Sequence, residues 1–249
     1  MELSYNYYTK TLYLLLLNIL LFNISYAQQN IVEVQNNIAE KQWLEHWKNG
    51  PQRLHWNELP LQIGDKAPDF QLLDQTGNER KLSDYWKDGP ALIIFWRHNG
   101  CSCGRDRAKR LALEIEEYKK LGARVLIIAQ SEPERSQIYK QQNNITVPIL
   151  SDTREEAYKA YGVLEGKPSQ VVYDAPDEFL EMQYQAGVDL MNSRRDTIGA
   201  VVDNPWLLTG EFVVDKSGEV KLAYRYQYCE NFPDPRIHFG AIKEANKLK

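Results

Sequence analysis

The sequence predicts an α/β fold in which a mixed central sheet carries helices on both faces. Three observations support this prediction. The apolar runs 91–96 and 124–129 have strand length and no polar alternation, as expected of central strands buried on both faces. A segment with helical spacing of apolar residues follows each run. A hairpin pattern and a closing helix come last, and this order is typical of a mixed sheet.

The predicted boundaries come from turn and capping signals. Gly122 and Gly162 each follow a helical segment, where glycine is the common C-terminal stop. Pro133 fits the first turn of a helix. In chain order the predicted elements are a strand over 70–73, a buried strand over 91–96, a helix over 105–121, a buried strand over 124–129, a helix over 132–142, a strand over 147–150, a helix over 153–161, a hairpin over 211–224 and a helix over 235–248.

A long connection interrupts this order before the hairpin. Residues 164–209 are too many to form a structureless loop in a compact domain. We therefore predict an insertion with its own helix around 178–191, placed near the substrate entrance because binding residues concentrate on such connections.

The first 27 residues have the pattern of a secretory signal peptide. Lys10 precedes the apolar run 12–22, and small residues end at Ala27, after which we expect cleavage. An uncleaved anchor is the alternative, but the run is shorter than the roughly 20 residues that a span needs. We expect an exported protein, periplasmic or extracellular, with no stable membrane span after cleavage.

The mature chain is predicted to have two parts. Residues 28–60 form a polar extension that contains a helix over 38–47, whose tryptophans are expected to dock on the main domain. Residues 61–249 form that domain. The net charge of −4 leaves no basic footprint for nucleic acid. The chain's three cysteines are too few for a disulfide scaffold but enough for a redox or metal site.

The chemistry is predicted at the turn after the first buried strand. Cys101 and Cys103 lie there just before a helix, whose unpaired N–H groups and dipole favour a thiolate. A thiolate is the nucleophile toward peroxides and disulfides. The alternative is that both cysteines are small buried residues without a chemical role, beside an ordinary helix start. Three nearby arginines add positive charge: Arg97, Arg105 and Arg107.

Several motifs in the same order resemble a known family. They resemble the peroxiredoxin-like branch of the alkyl hydroperoxide reductase/thiol-specific antioxidant (redoxin) family, which belongs to the thioredoxin-like superfamily. The resemblance covers roughly residues 61–248 and implies a thioredoxin-like fold. The matching segments are 64–70, 92–105, 147–152, 160–163, 210–224 and 226–235.

The resemblance implies a role for each cysteine. Cys101 would be the attacking thiol, and Arg97 or Arg105 would stabilise its thiolate. Cys103 is the nearest resolving thiol, with Cys229 as the alternative. The substrate would be a peroxide or a disulfide, and the reductant an external thiol such as a thioredoxin-like protein. No cofactor is expected, and the oligomeric state stays open.

The sequence also departs from the family pattern. His98 occupies the position where typical members have a threonine three residues before the attacking cysteine, so His98 would be the substitute donor. Gly104 stands where related members have the second cysteine of a Cys-x-x-Cys pair. Pro148 is the candidate for the cis proline that lies against the cysteine in thioredoxin-like proteins.

Two other functions stay open. One is a copper-binding thioredoxin-fold protein, in which Cys101, Cys103 and a distant histidine such as His238 would hold Cu(I) through soft ligands. The other is a binding module that has lost its catalytic activity, which the missing threonine would explain. Peroxide reduction and disulfide exchange are also not distinguished by these residues.

Overall fold

The structure, a computed structural model, describes residues 44–99, 101–171 and 203–247, together with the isolated positions 18, 21, 26 and 41. Among these residues no helix is long and apolar enough to span a membrane. The helix predicted around 178–191 lies outside the described residues, as does nearly all of the predicted signal segment.

Among the described residues the fold has seven strands and seven helices, the first of which is described over residues 44–49. The strands are β1 (Gln71–Asp74), β2 (Glu79–Lys81), β3 (Ala91–Phe95), β4 (Arg124–Ala129), β5 (Ile149–Ser151), β6 (Gly210–Val214) and β7 (Val220–Arg225). The helices are α1 (described over 44–49), α2 (Ser83–Trp86), α3 (Ser102–Lys120), α4 (Pro133–Gln142), α5 (Glu156–Ala160), α6 (Pro168–Val171) and α7 (Pro235–Ala245).

The strands form one mixed sheet in the order β2-β1-β5-β4-β3-β6-β7. β4 runs parallel to both β3 and β5, and the other pairs are antiparallel. The predicted central strands are confirmed, since β3 is buried along its whole length and lies in the interior of the sheet. β6 lies directly beside β3, with Glu211 opposite Ile94, and this pairing brings the C-terminal hairpin to the end of β3.

Alternate residues of β3 contribute to two separate cores, one on each face of the sheet. Leu92 and Ile94 belong to the core that includes residues of α3, α4 and α7. Ile93 and Phe95 belong to the core that includes residues of α2 and α5, among them Tyr158. Helices on both faces are therefore confirmed, and the period-two alternation of a strand explains the division.

Some boundaries differ from the predicted ones, for physical reasons. α5 begins at Glu156 instead of 153, because the Asp152 carboxylate accepts the N–H groups of Glu156, Ala157 and Tyr158. β5 begins at Ile149, after Pro148, which has no N–H to donate to a ladder. β2 and α2 were not predicted. β2 has three exposed residues and α2 has four residues, and both are too short to show a periodic pattern of apolar residues.

Pro148 is not a cis proline. The described residues contain no cis peptide bond. The Pro148 carbonyl accepts the N–H of Ile127, which pairs with Ile94 in the middle of the sheet. Pro148, the candidate for the cis proline, is therefore a trans residue whose carbonyl pairs with β4 in the middle of the sheet.

The N-terminal extension docks through a tryptophan, as its apolar face predicts. Trp47 of α1 stacks on Trp206 with ring centroids 4.5 Å apart, and the Trp206 indole donates to the His46 carbonyl at 2.7 Å. The Glu165 carboxylate accepts the backbone N–H groups of Gln52 and Arg53. The extension is thus held against both ends of the insertion.

Candidate redox-active site

The three cysteines meet beyond the carboxyl end of β3. Cys101 and Cys103 form a disulfide, with Cα atoms 5.2 Å apart. The Sγ atoms of all three cysteines lie within 4.8 Å of one another. Cys101, Cys103 and Cys229 are only 1%, 3% and 5% exposed, and Phe232 packs against them. We call this group the sulfur cluster.

The start of α3 positions two of these sulfurs. The helix begins at Ser102, three residues earlier than predicted, so Cys101 is its N-cap residue with an extended backbone and Cys103 lies in its first turn. The Cys101 N–H donates to the His98 carbonyl at 3.0 Å. Both sulfurs are therefore attached to the positive end of the helix dipole, which favours negative charge on sulfur.

Arg97 ties the sulfur cluster to the insertion. Its guanidinium donates to Cys101 Sγ at 3.2 Å and to the carbonyls of Leu207 at 2.9 Å, Val171 at 3.2 Å and Pro205. Burial lowers the pKa of Arg97, and the adjacent Cys229 opposes that shift. Arginine nevertheless stays charged in proteins. Both ends of the insertion therefore contact Arg97 at the site. Of the two arginines predicted to stabilise the Cys101 thiolate, Arg97 is the one that contacts Cys101.

The structure also places Cys229, which sequence reasoning could not. The Cys229 N–H donates to the Gln170 carbonyl at 2.8 Å, and the Gln170 amide donates to the Gln227 carbonyl at the same distance. Helix α6, at the start of the insertion, therefore holds the segment after β7 against the cysteine turn.

Asp203 is a residue of the site that the sequence did not reveal. Its carboxylate accepts the Asn99 N–H at 3.0 Å and also accepts from the Arg135 guanidinium. Burial alone would lower the pKa of Arg135, but Asp203 and Glu132 raise it overall. Asp203 thereby fixes the turn two residues before Cys101. No local pattern marks this residue, because its partners are 104 and 68 positions away in the chain.

A buried ionic network lies beside the sulfur cluster. Arg107 binds Glu211 through two hydrogen bonds, at 2.8 and 3.0 Å, and Glu211 is fully buried. Glu211 also accepts from the Tyr226 hydroxyl. Burial would raise the pKa of Glu211, but Arg107 and His238 bring it far below its usual range. The sequence carried one sign of this network, because a glutamate inside an apolar strand implies a buried partner for its charge.

His238 belongs to this network and not to the cysteines. Its Nε2 lies 2.9 Å from Glu211 Oε2, and its Nδ1 shares a hydrogen bond of 2.9 Å with the Tyr118 hydroxyl. Among the residues that the structure describes, the possible metal-binding group at this site consists of the three cysteines alone. The predicted copper set with His238 is therefore wrong, because His238 already binds Glu211 and Tyr118.

The packing around Gly104 explains why the second cysteine of the pair is at position 103 and not at position 104. A Cβ at Gly104 would lie 2.7 Å from the Tyr139 hydroxyl and 2.8 Å from Trp96 Nε1. These two groups are buried and hydrogen-bonded to each other at 3.1 Å, so neither can move away. A cysteine side chain does not fit at position 104.

Gly104→Ala is expected to lower the free energy of unfolding by about 1–3 kcal/mol, because overpacking a filled core forces its neighbours apart. Urea unfolding monitored by tryptophan fluorescence measures the change. Gly240→Ala is the matched control: Gly240 lies in helix α7 with nothing within 4 Å of an added Cβ, and alanine there should stabilise by about 0.5–1 kcal/mol. Equal stability of both variants would contradict the packing argument.

Comparison with known proteins finds similarity to thiol oxidoreductases. The AhpC/TSA family matches residues 63–223. The chain is 33% identical over 102 residues to the thiol-disulfide oxidoreductase ResA of Geobacillus kaustophilus, covering 41% of this chain and 58% of that protein. It is 30% identical over 105 residues to peroxiredoxin Bcp of Escherichia coli, covering 42% and 66%. The match thus spans less than two thirds of each of these two relatives.

Solved structures support the fold. The crystal structure of peroxidoxin BcpB from Mycobacterium tuberculosis aligns with a TM-score of 0.52 at 17% identity, over 76% of this chain and 99% of that one. At this identity the likeness concerns the architecture and not the chemistry.

Proposed function

Since this chain belongs to the AhpC/TSA family, we propose that it is a thiol-dependent oxidoreductase that reduces peroxides through Cys101. The observation that carries the proposal is that the Arg97 guanidinium donates to Cys101 Sγ at 3.2 Å. The Cys103 sulfur is bonded to the same Cys101 sulfur. A charged donor at this distance stabilises the thiolate, which is the form of cysteine that attacks.

The reaction balances with the residues of the sulfur cluster. The Cys101 thiolate attacks one peroxide oxygen, the O–O bond breaks, and the other oxygen leaves as water or an alcohol after taking up a proton. The Cys101 sulfenic acid then condenses with the Cys103 thiol, which releases water and forms the disulfide. A small external dithiol, which can reach the buried bridge, supplies the two electrons and two protons that reopen it.

Burial favours a small oxidant over a protein disulfide. The three sulfurs are at most 5% exposed, whereas exchange with a protein disulfide needs direct approach of one sulfur to another. Disulfide exchange is the second candidate, because the Cys229 sulfur lies within 4.8 Å of both bridged sulfurs and can attack either of them. The backbone carbonyl of His98 accepts the Cys101 N–H and so positions the turn. We propose that the buried His98 side chain is the donor that takes the place of the missing threonine.

We further propose that the chain works after export, in a periplasmic or extracellular compartment. Two features support this: the signal-like pattern of residues 1–27 and the intramolecular disulfide, which persists in oxidising compartments. Mass spectrometry of the protein from its source cells should find a mature N-terminus at Gln28. A chain that retains residues 1–27 in the cytosolic fraction would contradict the proposal.

One experiment tests the chemistry. The reduced full-length protein receives one equivalent of hydrogen peroxide, and its thiols are mapped by mass spectrometry. We expect a Cys101–Cys103 bridge in the native chain and a trappable Cys101 sulfenic acid in the double variant Cys103→Ser/Cys229→Ser, because the Cys229 sulfur is also close enough to condense with it. Cys101→Ser should consume peroxide at least about 10³-fold more slowly, because the nucleophile is gone.

Cys229→Ser is the matched control, and it should keep the first turnover. If Cys101→Ser reacts as fast as the native chain, the assignment of the nucleophile is wrong. If the native chain ignores peroxide but exchanges with a small disulfide such as oxidised glutathione, the second candidate replaces the first. If neither reaction occurs, the chain is a binding module with this fold.

A further inference from the structure

The sulfur cluster has the composition of a metal site once its bridge is reduced. We propose that the reduced chain binds one Cu(I) ion through the thiolates of Cys101, Cys103 and Cys229. This is a second activity of the cluster beside peroxide reduction, and it concerns the reduced state alone.

The spacing of the sulfurs suits a single ion. A thiolate bond to a metal ion of this size is about 2.3 Å long, so three sulfurs around one ion lie roughly 4 Å apart. Cys229 Sγ is within 4.8 Å of each of the other two sulfurs. Only the bonded pair Cys101 and Cys103 must separate, and reduction of the bridge does this.

The backbone on both sides of the site is fixed before any ion arrives. Cys101 is held by the His98 carbonyl and by the start of α3, and Cys229 is held by the Gln170 carbonyl. Few degrees of freedom remain to be lost on binding, and preformed ligands raise affinity for this reason.

The ligand set favours Cu(I) over Zn²⁺. Structural zinc sites almost always have four ligands, whereas soft thiolates alone suit Cu(I). The possible metal-binding group here has three sulfurs, and no carboxylate or imidazole belongs to it among the described residues.

The charge of the site also fits a bound cation. Three thiolates and one Cu(I) leave two negative charges, and the Arg97 guanidinium at Cys101 Sγ offsets one of them. The N-terminus of α3 favours the remaining negative charge. Hydrogen bonds of this kind hold metal-binding sulfurs in place and tune the site.

Binding is controlled by the redox state of the cluster. Each thiol that binds the ion loses its proton to water. Formation of the Cys101–Cys103 bridge, with loss of two electrons to an oxidant such as a peroxide, removes two of the three ligands and releases the ion. The same dithiol that reopens the bridge restores the site. Cu(I) and peroxide therefore compete for the same sulfurs.

The test is an anaerobic titration of the reduced full-length chain with Cu(I) against a chromophoric chelator such as bicinchoninate. We expect one ion per chain and an X-ray absorption spectrum with three sulfur ligands. The oxidised native chain, which needs no substitution, should not compete with the chelator. Cys229→Ser should weaken binding by more than the roughly 10–100-fold that loss of a residue supporting a ligand costs.

Equal affinity of the oxidised and reduced chains would overturn the proposal, as would displacement of Cu(I) by an equimolar amount of Zn²⁺. Nitrogen ligands in the spectrum would overturn it too. Because this titration uses no peroxide, its failure leaves the peroxidase assay unaffected, and a chain inert to peroxide can still bind Cu(I).

Discussion

Arg107→Met is expected to lower the free energy of unfolding by about 3–5 kcal/mol, the cost of leaving a buried charge without its partner. Arg107 binds both carboxylate oxygens of Glu211 and also Glu114 at 2.9 Å, and its own side chain is 5% exposed. Methionine fills similar volume without the charge. Glu211 is fully buried, and within the described part of the chain its remaining hydrogen-bond partners would be His238 and the Tyr226 hydroxyl.

Two controls separate the buried charge from lost packing. The double variant Arg107→Met/Glu211→Gln should recover most of the lost stability, because no carboxylate remains uncompensated while the amide still hydrogen-bonds its neighbours. Arg124→Met removes an ion pair of similar length, to Asp88 at 2.8 Å, but both side chains are about half exposed. That change should cost no more than about 1 kcal/mol. Equal losses in the two arginine variants would refute the argument.

The pH dependence has a definite sign. Arg107 and His238 hold the pKa of Glu211 far below its usual range, so Glu211 stabilises the native chain above its unfolded pKa, and this contribution is lost as pH falls. In Arg107→Met, burial instead favours the protonated acid. The difference in unfolding free energy between the two chains should therefore shrink from pH 7.5 to pH 5. Urea unfolding at the two pH values measures this change.

The parts of the fold that were predicted correctly are those that local pattern determines. β4 was predicted at its observed bounds, and β3 to within one residue, because a run of consecutive apolar residues of strand length identifies a buried strand without knowledge of its neighbours. The start of α3 was placed three residues late, since Cys-Ser-Cys carries no helical period. The residues of α3 that matter most to the site were therefore assigned to a loop.

The site was predicted only where it is local in sequence. Cys101, Cys103 and Arg97 lie within seven positions of one another, so one turn identifies them. Cys229 and Glu211 enter the site because β6 pairs with β3, and strand order cannot be inferred from any single segment. Asp203 lies at the end of the insertion, whose contacts follow from that same arrangement. Sheet topology, not local chemistry, completes the site.

Arg97→Met is expected to slow the reaction of Cys101 with hydrogen peroxide by about 10–100-fold, because a hydrogen bond to a charged group contributes about 1.5–3 kcal/mol. Arg97 is 3% exposed, and its guanidinium donates a hydrogen bond to Cys101 Sγ. Stopped-flow measurement of the reduced chain across pH 5–9 gives the rate and its pH profile. The profile should move to higher pH, since less of Cys101 is then thiolate at a given pH.

Arg105→Met is the matched control for the loss of nearby positive charge. Arg105 follows Cys103 in α3, but within the described part of the chain its guanidinium makes no hydrogen bond to a sulfur. Its replacement should therefore leave the rate and the pH profile nearly unchanged. Arg97→Lys separates charge from geometry: lysine keeps the charge but cannot reach Cys101 Sγ together with the carbonyls of Leu207 and Val171. Relative to Arg97→Met, Arg97→Lys should recover part of the rate with hydrogen peroxide and a smaller part of the free energy of unfolding. If all three variants react alike, Arg97 is a structural clamp for the insertion and takes no part in activating the thiol.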